Sequence, residues 1–439
     1  MPHPGAPRIL LQCGRSDRRL RFVLAALIAS GAADGFGPVT LSFAVLRVTG
    51  SVGRLGLVLA VQATAALVLT LAGGLAADRF APDRILIFSL AGRTAAAALL
   101  AGTLLAGTAS FPLLLAAAAG YGCADGFFGP ASTALVPNLV PRERLAPANA
   151  LLGGSTSAAA IAAPALAGPV VAALGPGAGF VVQATLLAAA AGILGAGVTK
   201  VTQGTRAGRE RAMRAGRERA APAASVRRAR VASGRGALRV GWGEFVRIRW
   251  LWLLTGQWLV FSMLTLAPVT VLGPALAQRY LGGAAAWGVI GASLAAGVVG
   301  GQFGAGRIRP PARPGVAIAG LLPVMTAEAL ALGLDAPLAV VAAAAAVTGL
   351  ALGVQGVFFQ TALQASVRPD VLARVAAIDL VGSEGGQPVG YALAGPLAGA
   401  VGAHAFLTAS AAIMAVAGTA FAFLPALRTE RGDAVCRGA

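Results

Sequence analysis

Apolar residues along this chain come in long blocks separated by short polar gaps. Blocks lie near 21–46, 55–77, 85–107, 112–136, 146–173 and 178–198, and six more near 250–277, 286–306, 315–334, 336–363, 374–402 and 404–424. About 20 apolar residues in a helix cross the roughly 30 Å hydrocarbon layer of a bilayer. A helix also pairs its own backbone groups where no water can. The pattern therefore predicts an all-α membrane protein with twelve transmembrane helices.

The polar gaps carry an orientation signal. Arg79 and Arg84 follow segment two, Arg142 and Arg144 segment four, Arg307, Arg309 and Arg313 segment eight, and Arg368 segment ten. The intervening gaps on the other side hold Arg47, Arg54 and Arg279. Since cytoplasmic loops are the arginine-rich ones, both chain ends are expected in the cytoplasm of a multi-pass plasma-membrane protein. Arg15, Arg18, Arg19 and Arg21 precede an apolar run too long for a secretory signal, and further spans follow it.

From Lys200 to Arg249 the chain holds fourteen basic and three acidic residues, including a tandem RAGRERA at Arg206–Ala212 and Arg214–Ala220. This basic stretch divides the blocks into two sets of six. The expected organisation is a cytoplasmic N-terminus (1–20), a six-helix bundle (21–198), a basic cytoplasmic linker (199–249), a second six-helix bundle (250–424) and a cytoplasmic tail (425–439). Such a linker also suits anionic lipid, at about 1 kcal/mol per basic residue near a negatively charged leaflet.

An internal repeat relates the two sets. ALAGP occurs at Ala165–Pro169 and again at Ala392–Pro396, an offset of 227 residues. The same offset carries Val140 onto Val367, Leu145 onto Leu372 and the pair Gly73, Gly74 onto Gly300, Gly301. It equates segment two with eight and five with eleven without reversing direction. The bundles therefore read as a parallel duplication, a plan that places a substrate site at the repeat interface near mid-membrane.

Composition narrows the function. With 57% hydrophobic and 12% charged residues, the chain is far less charged than a soluble domain at roughly 25%. Its net charge of +19 lies in the linker and the gaps, which points to topology rather than nucleic acid. Cys13, Cys123 and Cys436 have no metal-ligand spacing, and His3 and His404 are the only histidines. No metal and no cofactor is expected. Without a phosphate-binding G-x-x-x-x-G-K-[ST] motif, gradient-driven transport is favoured over ATP-driven pumping.

Residues 74–84 read GLAADRFAPDR. This resembles the G-x-x-x-D-R-x-G-R-R signature of the major facilitator superfamily, with Gly74, Asp78 and Arg79 matching and Arg84 supplying a later positive charge. The resemblance implies that Asp78 docks against the start of helix eleven, where Arg374 and Asp379 lie. PNLVPRERLAPANALL with AAPALAGP, from Pro137 to Pro169, is similar to the drug:proton antiporter branch that includes macrolide-efflux and enterobactin-export proteins. TALQASVRPDVLARVAAI and PVGYALAGPLAGAVG in the second half resemble the same branch. In helix five, APALAG keeps Pro164 and Gly168 of an antiporter motif, followed by Pro169.

Charge inside lipid costs roughly 2.5–3.5 kcal/mol per group, so each intramembrane charge is a functional candidate. A carboxylate in a poorly hydrated cavity can take up and release a proton as access alternates. Asp34, Asp125 and Glu384 are the proton-coupling candidates, Asp34 because the resemblance puts helix one at the central cavity and Gly31, Gly35 and Gly37 leave space around it. Asp379 suits a gating or ion-pair role, and Glu328 a structural one. Arg93, which cannot lose its proton, is an ion-pair candidate for Asp34 or Asp125. Phe127, Phe128, Gln257, Trp258, Phe261, Gln355, Phe358, Phe359 and Gln360 are candidates for an aromatic substrate cavity.

These residues suit proton-coupled export of a small hydrophobic or amphipathic compound, drug-like or siderophore-like, by alternating access. The alternatives are an importer or facilitator for a nutrient and, remotely, a membrane-embedded enzyme. Substrate, direction, coupling ion, oligomeric state and the proton-carrying carboxylate are not fixed by sequence.

Overall fold

The structure, a computed structural model, describes residues 18–79, 81–135, 159, 162–216, 234–308, 311, 313–368 and 371–428, with backbone only at 18–20, 71–79, 133–134, 197–216, 234–240, 373, 426 and 428. Among these residues all regular structure is helical, and ten helical stretches are long and apolar enough to cross a membrane. The first half consists of α1 (Arg18–Thr49), α2 (Val52–Arg79), α3 (Pro82–Leu105), α4 (Phe111–Asp125), α5 (Phe128–Leu135), a shorter apolar helix α6 (Ala162–Leu174) and α7 (Pro176–Gly216). After α8 (Gly234–Arg247) come α9 (Arg249–Phe261), α10 (Ala267–Leu276), α11 (Ala284–Ala305), α12 (Pro314–Gly320), α13 (Leu322–Met325) and α14 (Ala327–Gly333). The chain continues through α15 (Leu338–Ser366), α16 (Leu372–Glu384), α17 (Gly386–Val401), α18 (Ala403–Ala422) and α19 (Pro425–Arg428).

Prolines and glycines divide several apolar blocks. Between α9 and α10, and again after α10, single π turns at Ser262–Leu266 and Ala277–Leu281 keep segment seven continuous. Pro268 lacks the N–H that an α-helix would direct to the Leu264 carbonyl, and the wider turn at Ser262–Leu266 accommodates that gap. Segment eleven pauses at Gly385. Pro388, four residues after Glu384, cannot donate to the Glu384 carbonyl, so the turn there is released. Segment four breaks likewise at Gly126–Phe127, four residues ahead of Pro130.

The basic stretch is partly helical: α7 runs on to Gly216 and α8 occupies Gly234–Arg247. Alanine, arginine and glutamate are strong helix formers, and they dominate 206–216.

In the first half α7 packs along α1 and α3, and α4 along α2; in the second, α11 packs along α15. The halves meet chiefly where α2 runs beside α17. Lipid is as apolar as leucine, so helices associate through close backbone approach at small residues. A Cβ added to Gly288 of α11 would lie 2.7 Å from the Pro164 carbonyl oxygen and 2.8 Å from the Gly168 Cα of α6. One apolar core, including Leu55, Leu86, Leu114 and Leu187, continues through this seam to Val271, Leu272 and Ala394.

Candidate functional site

Three transmembrane stretches of the first half converge on one arginine. Arg93 projects from α3 and is fully buried. Its guanidinium is ion-paired with Asp34 of α1 and lies 3.5 Å from Asp125 at the end of α4. It donates to the Tyr121 hydroxyl at 2.8 Å and to Ser30 Oγ at 3.4 Å. The rings of Tyr121 and Phe128 lie 5.0 and 5.1 Å from its central carbon, within cation–π range. A planar fork with five donors suits this shared role in a way a lysine ammonium does not.

Tyr121 links the cluster to α7. Its hydroxyl accepts from Arg93 and from Gln183 Nε2 at 3.3 Å, and donates to Asp34 at 3.4 Å. Asp125 is the last residue of α4, directly before the Gly126 break. A carboxylate at a helix C-terminus is opposed by the helix dipole, so the nearby guanidinium offsets an unfavourable position.

Asp34 and Asp125 both open into a cavity of about 350 Å³ whose far wall includes Thr270 of α10 and Tyr391 of α17. The cavity is thus shared between the halves. Along α2 the seam glycines Gly53 and Gly56 precede the cavity residues Leu59, Gln62, Ala63 and Ala66. A larger depression of about 710 Å³ lies where α1 and α6 end near Gly282 and Gly283, but no carboxylate lines it.

A second polar cluster stands behind Tyr391. The Tyr391 hydroxyl donates to Gln387 Oε1 at 3.2 Å, Gln387 Nε2 donates to Glu384, and Trp258 Nε1 donates to the same carboxylate at 3.3 Å. One turn back, Asp379 accepts from the Thr255 hydroxyl at 2.5 Å. Ser262, at the π turn, donates to the Ser383 carbonyl at 3.2 Å and ties segment seven to segment eleven. Glu384 therefore lies two hydrogen bonds from the cavity wall.

The Major Facilitator Superfamily model matches residues 22–378. The chain belongs to this superfamily. It is a multi-pass membrane transporter of small molecules and not an enzyme. Among solved structures, the superfamily chain is similar to a POT family transporter in complex with 5-aminolevulinic acid, at TM-score 0.65 and 12% identity over 92% of this chain and 95% of that one. It is also similar to a bacterial homolog of the human lysosomal transporter Spinster, inward-facing and unoccupied, at TM-score 0.64 and 18% identity over 94% and 98%. The nucleoside transporter NupG gives TM-score 0.66 at 11% identity over 92% and 100%. These identities establish the fold alone. Curated protein sequences give no match.

Of the superfamily signature, Gly74, Asp78 and Arg79 lie at the end of α2 where side chains are outside the described residues, as is residues 137–158 of the second resemblance. Arg84 is exposed in the first turn of α3. Arg374 is exposed on α16, where a Cβ on Gly241 of α8 would come within 2.9 Å of its Cβ. Asp379, expected in a gating or ion-pair role, accepts from the Thr255 hydroxyl of segment seven among the described residues. In the helix-five motif, Pro164 sits between Gly35 of α1 and Gly288 of α11, while Gly168 faces Gly288; exposed Pro169 follows.

None of the nine aromatic and amide cavity candidates is among the residues lining the cavity beside Asp34. Phe127 stacks edge-on with Phe88, and Phe128 lies by Arg93. Phe261 is packed among Leu322, Met325, Ala351 and Met414. Trp258 serves Glu384, and Gln257 is buried. Phe358 and Phe359 pack on the cluster around Trp250, with Gln355 half-buried and Gln360 exposed on the same helix. Glu328 is buried, its backbone N–H donating to Thr348 Oγ1 at 3.1 Å. The polar cavity residues missed from sequence were Gln62, Tyr121, Gln183, Thr270 and Tyr391. Their only signal was polarity within apolar blocks.

Proposed function

We propose that this superfamily transporter is a proton antiporter that exports small hydrophobic or amphipathic compounds across the plasma membrane. In this reading twelve helices form two six-helix bundles, α6 belonging to segment five and the α16–α17 pair to segment eleven. Both chain ends face the cytoplasm, and the basic stretch links the bundles and meets anionic lipid.

The observation that carries the proposal is the sharing of buried Arg93 between Asp34 and Asp125 at the cavity wall. A proton on either carboxylate removes one partner of the arginine, so protonation and packing of α1, α3 and α4 are coupled. Glu384 gives the opposite half a carboxylate connected to the same cavity through Tyr391 and Gln387. Tight contact of α2 with α17 and of α6 with α11 lies toward the face opposite the chain ends. That closure suits a cavity loaded from the cytoplasm.

Everted membrane vesicles carrying an imposed proton gradient test the reading with macrolides, siderophores and dyes. Chain-dependent accumulation that collapses with the gradient, and fails in the triple variant Asp34→Asn, Asp125→Asn, Glu384→Gln, is expected. Gradient-driven transport that survives the triple variant rules out the carboxylate mechanism. Accumulation only in right-side-out vesicles makes the chain an importer.

A further inference from the structure

The cavity has one carboxylate more than its arginine can neutralise. Asp34 and Asp125 are the charged side chains in its lining, and Arg93 lies behind them fully buried. The two carboxylates are not equivalent. Asp34 is ion-paired with Arg93 and also takes the Tyr121 proton, whereas Asp125 lies 3.5 Å from the guanidinium; the two side chains are similarly open to the cavity, 44% and 43% exposed. Asp34 is the fixed counter-ion of Arg93, and Asp125 is the carboxylate with capacity to spare.

Donors are scarce around it. Each hydroxyl proton in the lining is already committed: Tyr121 donates to Asp34, Thr270 to the Leu266 carbonyl at 2.9 Å, and Tyr391 to Gln387. Gln183, 2% exposed in the same wall, leaves its amide oxygen without a partner. Its orientation follows from the network, because Tyr121 spends its one proton on Asp34 and so must accept from the Gln183 NH₂ group. Besides Arg93, whose Nε–H is itself unpartnered, only the Gln62 and Gln183 amides offer N–H donors among the described residues of this wall, against two carboxylates and the unpartnered Gln183 oxygen, and a buried acceptor without a donor is costly.

We propose that the substrate is a protonated amine, its ammonium held by Asp125 and its apolar body lying against Leu59, Ala63 and Phe180. This names the substrate class of the export site and rests on that site being the transport cavity. An ammonium supplies both the missing charge and the missing donors. An anion would meet two carboxylates with the arginine screened behind them, and a neutral alcohol would leave the excess charge unmatched.

The test is isothermal titration of the purified full chain in non-ionic detergent with 2-(1-naphthyl)ethylamine, 2-(1-naphthyl)ethanol and 1-naphthylacetate at neutral pH. The amine is expected to bind about tenfold or more tightly than the alcohol, in line with a charge-assisted hydrogen bond, and the acetate least. Asp125→Asn should abolish the preference for amine over alcohol while leaving the alcohol's affinity in place, and Asp125→Glu should keep the preference. Equal binding of amine and alcohol, preference for the acetate, or undiminished amine preference in Asp125→Asn overturns the proposal. Should Asp125→Asn fail to purify as a folded protein, the wild-type comparison alone still decides the charge class. The titration involves no gradient and no direction, so its failure leaves the export reading intact, whereas vesicles without proton-driven export overturn that reading and leave amine selectivity standing.

Discussion

Gly395 of α17 lies so close to Gly53 of α2 that a Cβ on Gly395 would come within 2.8 Å of the Gly53 amide nitrogen. Its counterpart at the 227-residue offset, Gly168, lies equally close to Gly288 of α11. Both copies of ALAGP thus place their glycine against the opposite half of the chain. Gly288→Leu should force this seam apart. Overpacking at a close contact costs typically about 1–3 kcal/mol, so a lower unfolding temperature is expected. Faster labelling of a Thr270→Cys probe by an impermeant maleimide from the face opposite the chain ends should accompany it. Unchanged labelling would mean that the glycine contact does not hold that face closed.

Arg93 supplies the positive charge at two carboxylates, so its removal should do more harm alone than with one of them. Breaking a buried ion pair by deleting one partner costs up to about 3–5 kcal/mol, and the partial exposure of Asp34 and Asp125 puts the expected loss below that range. Arg93→Met should therefore destabilise the chain and stop transport. Arg93→Met with Asp34→Asn should recover part of the stability, since one of the two uncompensated carboxylates is gone. Thermal denaturation of the two single variants and the pair forms the required cycle. Strict additivity would show that the Asp34 contact contributes no coupling.

The helices were legible because each apolar block is long enough to be a span by itself, and the pause at Gly385 was foreshadowed by Gly385, Gly386 and Pro388 beside Glu384. The intramembrane charges were equally visible. Their pairing was visible only in outline, because bringing Asp34, Arg93 and Asp125 together requires knowing that α1, α3 and α4 meet. Tyr121 and Gln183 escaped notice because an uncharged polar residue in an apolar block costs little and signals little. The aromatic and amide candidates lie outside the lining of this cavity. At the 227-residue offset Asp34 corresponds to Phe261 and Asp125 to Leu352, and both belong to an apolar cluster in the second half. The duplicated halves differ in chemistry at these positions, charged in the first and apolar in the second.

Tyr121 links Gln183 to Asp34 and is also hydrogen-bonded to Arg93, which pairs with Asp34 directly. Tyr121→Phe keeps the ring beneath the guanidinium and removes only the hydroxyl. With three hydrogen bonds disturbed and both donors left to find other partners, a loss of roughly 1–3 kcal/mol is expected. Gln183→Met in the same background should cost less than it does in wild type, because its Nε2 bond is already gone. Denaturant titration of the four proteins measures this, and an undiminished Gln183→Met effect would place the value of Gln183 elsewhere than in Tyr121.

Pro388 keeps segment eleven from running through as one helix. In Pro388→Ala the restored N–H can donate to the Glu384 carbonyl, a bond worth about 1 kcal/mol in a typical setting, and the turn at Gly385 should tighten. Closure of that turn draws the Glu384 side chain and Gln387 along the helix axis and disturbs the hydrogen-bonded path to Tyr391. The expected outcome combines a higher unfolding temperature with slower transport. Amine binding should remain, because Asp125 belongs to the other half of the chain. If turnover were unchanged in a stabilised Pro388→Ala protein, the break would be a packing adjustment with no part in alternating access.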